Sequence, residues 1–202
     1  MKRLQESKES IISSMRIGLD LAKKVLEVFA VYQEEKLVTR KTLQRGTVPS
    51  FFANIPSSLI GMESCGSSHY WARELRKLGH DVRLMAPQFV CPYRKFDKND
   101  MNNAEAICEA LGRPNMRFVP IKNEEQQAIM MLHRARSLLV GDRVASGNQI
   151  RGFLIEYGIV LAQGSIQIRK KLPNIMSDGE NNLTYLAREI LNDQYQRLCR
   201  LD

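Results

Sequence analysis

Residues 16–44, RIGLDLAKKVLEVFAVYQEEKLVTRKTLQ, decide how the chain is read. Three segments rich in Val, Leu and Ile, namely RIGLDLA, VLEVFAVYQ and KLVTRKTLQ, are joined by tight polar connections that suit antiparallel hairpins, which predicts a three-stranded meander. Further on, SLIGMES at 58–64 reads as a buried strand. SSHYWARELRKLG then places Tyr70 or Trp71, Leu75 and Leu78 at helical spacing and stops at Gly79, and DVRLMAP returns as a strand ended by Pro87. Between the two blocks, Thr47 is placed to cap a short amphipathic helix carrying Pro49, Phe51, Phe52 and Ile55.

Three antiparallel strands leading into a β-α-β unit is the order of a ribonuclease-H-like mixed sheet, so the expected fold class is α/β. The first 15 residues are polar with little periodicity and are expected to form a flexible extension. Residues 101–112 form a further predicted helix, and RFVPI a short extended piece. From Asn123 to Tyr157 no proline interrupts the chain. Ala128, Met131, Leu132, Ala135, Leu138, Leu139, Ala145, Ile150, Phe153 and Leu154 recur there at intervals of three and four, as a long helix with an apolar seam requires. A helix of roughly 30 residues is on the order of 45 Å long, outruns one small domain, and is expected to pair with another helix. Gly141, Gly147 and Gly152 each weaken it by about 1 kcal/mol relative to Ala, which leaves room for a kink or an interruption. IQIRKKL and LTYLAREILNDQYQRL read as two more helices of an antiparallel arm. The expected organisation is an extension at 1–15, an α/β domain at 16–121 and a helical, coiled-coil region at 122–202.

Thirty Lys and Arg against 22 Asp and Glu leave a net charge of +8, which favours a polyanionic partner, nucleic acid or an anionic membrane surface. No run approaches the roughly 18 apolar residues of a membrane span, and the start MKRLQESKES lacks the apolar centre of a secretory signal, so a cytoplasmic protein is expected. Cys65, Cys91, Cys108 and Cys199 are widely spaced without a CxxC pair and read as reduced, mostly buried thiols, supporting neither a zinc site nor a disulfide framework. His69 and His133 read as packing or surface residues.

Two carboxylates stand out. Asp20 lies in the first strand among apolar neighbours, and Glu63 ends the SLIGMES strand in the same way. A charge on a strand buried from both sides is costly unless it is paired or binds a metal. Each alone is also compatible with a strand-end carboxylate bonded to backbone or Arg. In a sheet of this order, however, the first and fourth strands are neighbours, so both carboxylates emerge at one edge and can share divalent cations. Mg2+ suits such hard oxygen ligands, and two ions about 4 Å apart stabilise the attacking and leaving oxygens of a phosphodiester. Arg136, Arg143 and Arg151 are seven and eight apart and share one face of the long helix; they either track a nucleic-acid backbone or form its solvated side.

The stretches GLDLAKK, GMESCGSSHYWARELRKLGHDVRLMAPQFVCPY, KNDMNNAEAICEA, FVPIKNEEQQAIMMLHRARSLLV and NQIRGFLIEYGIVL resemble, in order, landmarks of the DEDD transposases of the insertion sequence 110 family, which includes the Piv-type DNA invertases. The resemblance implies a RuvC-like domain, a long helical coil and a C-terminal domain whose serine is the nucleophile toward DNA, with a structured bridge RNA as guide in some members. It also implies an Asp, Glu, Asp, Asp set that holds Mg2+ or Mn2+. The first three acids fall on Asp20, Glu63 and Asp100, and the fourth falls on Asn103, whose neutral amide oxygen weakens cation binding. Asp100 has a second reading as N-cap of the 101–112 helix. Arg94, Lys95 and Lys98 occupy the loop just before Asp100, where phosphates would pass the acidic edge. The serine domain has no counterpart in these 202 residues, so Ser64, Ser67 and Ser68 are not promoted to nucleophile.

The expectation is therefore the N-terminal part of a DNA transposase, its phosphodiester chemistry impaired by Asn103 and truncation. DNA and a bridge RNA are the expected partners, together with a second copy paired through the long helix and no membrane. The alternative is a non-catalytic nucleic-acid-binding or regulatory protein that pairs with a full-length transposase.

Overall fold

The computed structural model describes residues 15–32, 35–94 and 100–201, the side chains of residues 100 and 101 excepted. The expected extension lies outside the described residues except for Met15. Strands β1 (Arg16–Leu21), β2 (Val25–Val31) and β3 (Leu37–Gln44) form the antiparallel meander. Helix α1 (Val48–Ala53), strand β4 (Leu59–Glu63), helix α2 (Ser68–Lys77) and strand β5 (Asp81–Met85) follow. The short α3 (Pro87–Val90), then α4 (Asp100–Leu111) and the two-residue β6 (Phe118–Val119), complete this part of the chain. The six strands form one sheet in the order β3-β2-β1-β4-β5-β6, with β4 parallel to both β1 and β5. This is the ribonuclease-H-like mixed sheet that the meander and β-α-β pattern predict.

The alternation of each strand sorts its residues onto two covered faces. Ile17, Leu19, Leu26, Val28 and Ala30 pack with Phe52 of α1 and with Trp71, Ala72 and Leu75 of α2. Phe29 and Val31 point the other way, onto Ala104 and Cys108 of α4. The glycine of β1 decides how near α4 comes. A Cβ on Gly18 would lie 2.0 Å from the Ala104 carbonyl oxygen and 2.6 Å from the Cys108 nitrogen, so only a residue without a side chain lets the helix cross there. That crossing brings Asn103, next to Ala104, to the end of β1. At α1, Pro49 sits in the first turn as expected, but the Thr47 hydroxyl donates to the Gln44 carbonyl (2.9 Å) instead of accepting from the helix, which corrects its expected capping role.

A second compact unit begins at Glu125. Helix α5 (Glu124–Ile155) is one continuous helix through Gly141, Gly147 and Gly152, without the interruption those glycines could have caused. Helices α6 (Ser165–Ser177) and α7 (Tyr185–Arg200) pack on its C-terminal part, where Ile150 and Leu154 are buried with Ile168, Leu172, Leu191 and Leu198. Thr184 caps α7 by accepting from the Ala187 nitrogen (3.2 Å). Arg188 reaches back to the carbonyls of Met176 and Asp178, satisfying acceptors left at the end of α6. The earlier part of the α5 seam has no such cover, since Met131, Leu132, Leu138 and Leu139 are 52–69% exposed. No helix among the described residues is long and apolar enough to cross a membrane.

Candidate functional site

The ladder between β1 and β4 sets the geometry. Leu19 pairs with Met62, so the next residue of each strand, Asp20 and Glu63, reaches the same edge of the sheet. Alternation turns both side chains to the face of Gly18 and Gly61, the face that α4 covers: a Cβ on Gly61 would meet the Leu111 side chain at 2.9 Å. From α4, the Asn103 Nδ2 donates to Asp20 Oδ2 (3.2 Å), while the Leu21 backbone nitrogen donates to Asp20 Oδ1 (3.1 Å). Asn103 is only 6% exposed, and its Oδ1 is buried without a partner. On the next strand, Glu63 accepts from Arg94 Nη2 (3.1 Å).

The turns that carry these residues are tied together. Arg45 donates to the Ala22 carbonyl after β1 (2.9 Å) and to Ser67 Oγ after β4 (3.1 Å). Ser68 donates to the Cys65 carbonyl (2.8 Å), so both serines serve the turn. Cys65 and Cys91 are exposed and only Cys108 of the four cysteines is buried, which corrects the expectation of mostly buried thiols; partial desolvation, reinforced by the nearby negative charges of Glu63 and Asp20, pushes the Cys65 thiol above its ordinary range.

The predicted site residues thus fall into three groups. Asp20, Glu63, Asn103 and Arg94 lie at the acidic edge, although Arg94, read from sequence as a phosphate contact, is engaged with Glu63. Asp100 is the first residue of α4, one turn before Asn103, and its side chain, like the whole of Lys95 and Lys98, lies outside the described residues. Among the described residues no three His, Cys, Asp or Glu side chains form a group able to hold a metal ion; the described oxygen donors are the Asp20 and Glu63 carboxylates and the Asn103 amide, with the Glu27 carboxylate opposite Asp20 in the ladder. In the helical unit, Arg143 and Arg151 line a cavity of about 440 Å³ with Asn148, Gln163, Gly164 and Ser165, and Arg136 is exposed on the same helix. Arg151 is held by Asn148 Oδ1 (2.6 Å).

Sequence reasoning missed Glu27. It is 7% exposed, pairs directly with Asp20 across the β1–β2 ladder, and accepts from the Thr42 hydroxyl (2.8 Å). The signal was available, since Glu27 is a lone carboxylate within the apolar VLEVFAV. His69 has a structural role: its Nδ1 accepts from the Lys122 backbone nitrogen (3.1 Å) and so anchors the segment after β6 to α2.

The family model of the insertion sequence 110 DEDD group, described as a transposase, matches residues 17–159. A probable family 20 transposase of Pseudomonas aeruginosa is 57% identical over 188 residues, covering 93% of this chain and 56% of that protein. The putative transposase y4pF/y4sB of Sinorhizobium fredii is 45% identical over 199 residues, 97% of this chain and 51% of its own length. The transposase for insertion sequence element IS1328 of Yersinia enterocolitica is 40% identical over 185 residues, with 91% and 55% covered. The chain spans about half the length of these curated relatives.

Proposed function

The chain belongs to the DEDD transposases of the insertion sequence 110 family, and from that premise we propose that its α/β unit is the RuvC-like part of a transposase acting on phosphodiester bonds of DNA. The observation that supports this is the junction of Asp20 and Asn103 beside Glu63, where β1, β4 and α4 converge. Asp20, Glu63 and Asp100 are the proposed cation ligands, with Asn103 in the fourth position. The donor set fits: two carboxylates supply hard oxygens, and the buried Asn103 Oδ1 is an acceptor with no partner inside the protein. Bound Mg2+ or Mn2+ supplies charge stabilisation to the oxygens exchanged at phosphorus. Asn103 contributes no charge, so cation affinity and catalytic competence are lower than with four acids. Arg45 keeps the two carboxylate-bearing turns in register.

Residues 16–121 form the catalytic-type domain in this reading, and 122–202 a coiled-coil region. The net charge of +8 favours a nucleic-acid partner, DNA and a structured guide RNA alike. Arg94, Lys95 and Lys98 near the acidic edge, and Arg136, Arg143 and Arg151 on α5, are the proposed phosphate contacts. A second role is favoured by the uncovered seam of Met131, Leu132, Leu138 and Leu139: pairing through α5 with another transposase chain, the means by which a non-catalytic copy would regulate a full-length one.

Restoring the fourth acid tests the site. Asn103→Asp preserves shape and adds a charge, so Mg2+ or Mn2+ should raise its melting temperature more than that of the parent. Without a cation the change removes the amide donor to Asp20 and sets a second carboxylate against it at a buried position, so it should be destabilising by about 1–3 kcal/mol or more. Equal responses to metal would remove residue 103 from the site.

A further inference from the structure

Glu63 is engaged by a cationic side chain of the protein itself. Arg94 Nη2 donates to its Oε2 at 3.1 Å, and the two side chains are 22% and 15% exposed, so the pair lies at the rim of the site. It is shielded enough for the charge-assisted bond to hold and open enough for exchange. The guanidinium is only partly satisfied there, because Arg94 Nε is buried without a partner. On the neighbouring strand the Asn103 amide donates to Asp20. Both carboxylates therefore already accept from a donor side chain of the protein itself.

We propose that Arg94 is a resident counter-ion that competes with the divalent cation for Glu63 and, once displaced, binds a phosphate of the nucleic acid, so that metal and nucleic acid bind cooperatively through it. The inference rests on the metal-site reading above. Its logic is electrostatic. Glu63 Oε2 cannot serve both a guanidinium and a cation at full strength, so removing either competitor favours the other. A displaced guanidinium beside a bound cation faces like charge, and it is stabilised only when an anion joins them. A phosphodiester meets that need, and its oxygens match the donor fork of arginine. Thermodynamic linkage then requires the metal to tighten nucleic-acid binding by the same factor as nucleic acid tightens metal binding.

The test measures Mn2+ alone, by its paramagnetic resonance signal, on the parent chain, Arg94→Met and Arg94→Gln. Methionine keeps the packing of the stem and glutamine keeps a hydrogen-bond donor, and both remove the charge. Each variant should bind Mn2+ roughly tenfold more tightly than the parent, the scale of one charge-assisted hydrogen bond. A short DNA duplex should bind the parent more tightly once Mn2+ is added, and that gain should shrink several-fold in both variants. Equal Mn2+ affinity in parent and variants, with circular dichroism showing them folded, would overturn the inference and leave the metal site standing. An undiminished gain in duplex affinity would overturn the hand-over to phosphate. Absence of Mn2+ binding from every protein would overturn the metal-site reading and this inference with it.

Discussion

The α/β unit and the helical unit treat their apolar residues differently. In the first, both faces of the sheet are covered, and Leu19, Leu26, Val28, Ile60, Met62, Val82 and Leu84 have essentially no exposure. In the second, α5 is packed at one end by α6 and α7, while Met131, Leu132, Leu138 and Leu139 face outward. The contrast follows from how each structure is held. A strand depends on neighbours distant in sequence for its hydrogen bonds, so the sheet exists only when its layers are assembled. A helix satisfies its backbone locally and can extend past its tertiary partners. Positioning Asp20, Glu63 and Asn103 requires the first kind of constraint, whereas an uncovered seam is a surface for a partner.

Glycine substitutions should separate the two units most sharply. Gly18→Val would drive Cβ into the Ala104 carbonyl and Cys108 nitrogen, both backbone atoms that cannot move aside, and should cost more than about 3 kcal/mol or prevent folding. Gly152→Ala meets nothing within 4 Å and should stabilise α5 by up to about 1 kcal/mol. Thermal unfolding of the two variants compares them directly, and tolerance of valine at position 18 would contradict the close crossing of α4 over β1.

The two ends of α5 should differ in the same way. Leu154→Ala, at a fully buried position, should cost about 2–5 kcal/mol. Leu138→Ala, at a position 66% exposed, should stay within about 0.5 kcal/mol in dilute solution. If the cost at Leu138 grows with protein concentration, the seam is buried between copies; if it is large at every concentration, the seam is covered within the chain and the contrast between the two ends of α5 fails.

The smallest effect concerns pH. Burial, followed by the charges of Lys122 and Arg73, holds the His69 imidazole below its ordinary value of 6.5. The unfolded chain then takes up this proton more readily than the folded one. The contribution of His69 is fully present above about pH 6.5 and is lost as pH falls through the lowered folded value. His69→Gln should flatten the decline in stability between pH 7.5 and 5, measured by denaturant midpoints, and His133→Gln on the exposed part of α5 provides the comparison. An unchanged slope in His69→Gln would show that the bond to the Lys122 nitrogen does not depend on the neutral ring.

Much of the fold and part of the site were legible in the chain itself. The meander, the β-α-β unit and the three long helices followed from period-two and period-3.6 patterns, because the hydrogen bonds and alternation of each element are set by residues close in sequence. Asp20 and Glu63 were visible as lone charges in apolar strands, and the strand order placed them side by side. Glu27 carries the same mark, yet its significance depends on lying opposite Asp20 in the ladder, a matter of register between strands. The Asn103–Asp20 bond, joining residues 83 apart, exists only because α4 crosses β1 at Gly18, and the Arg94–Glu63 pair joins residues 31 apart that meet only through the tertiary fold. The seam of α5 shows the same division: periodicity identified which side chains share a face, but whether that face is covered depends on helices that pack only on its C-terminal part, from about Gly147 to Leu154. Local periodicity is a property of neighbours along the chain, whereas close approach and cover are properties of segments that meet only when the whole structure has closed.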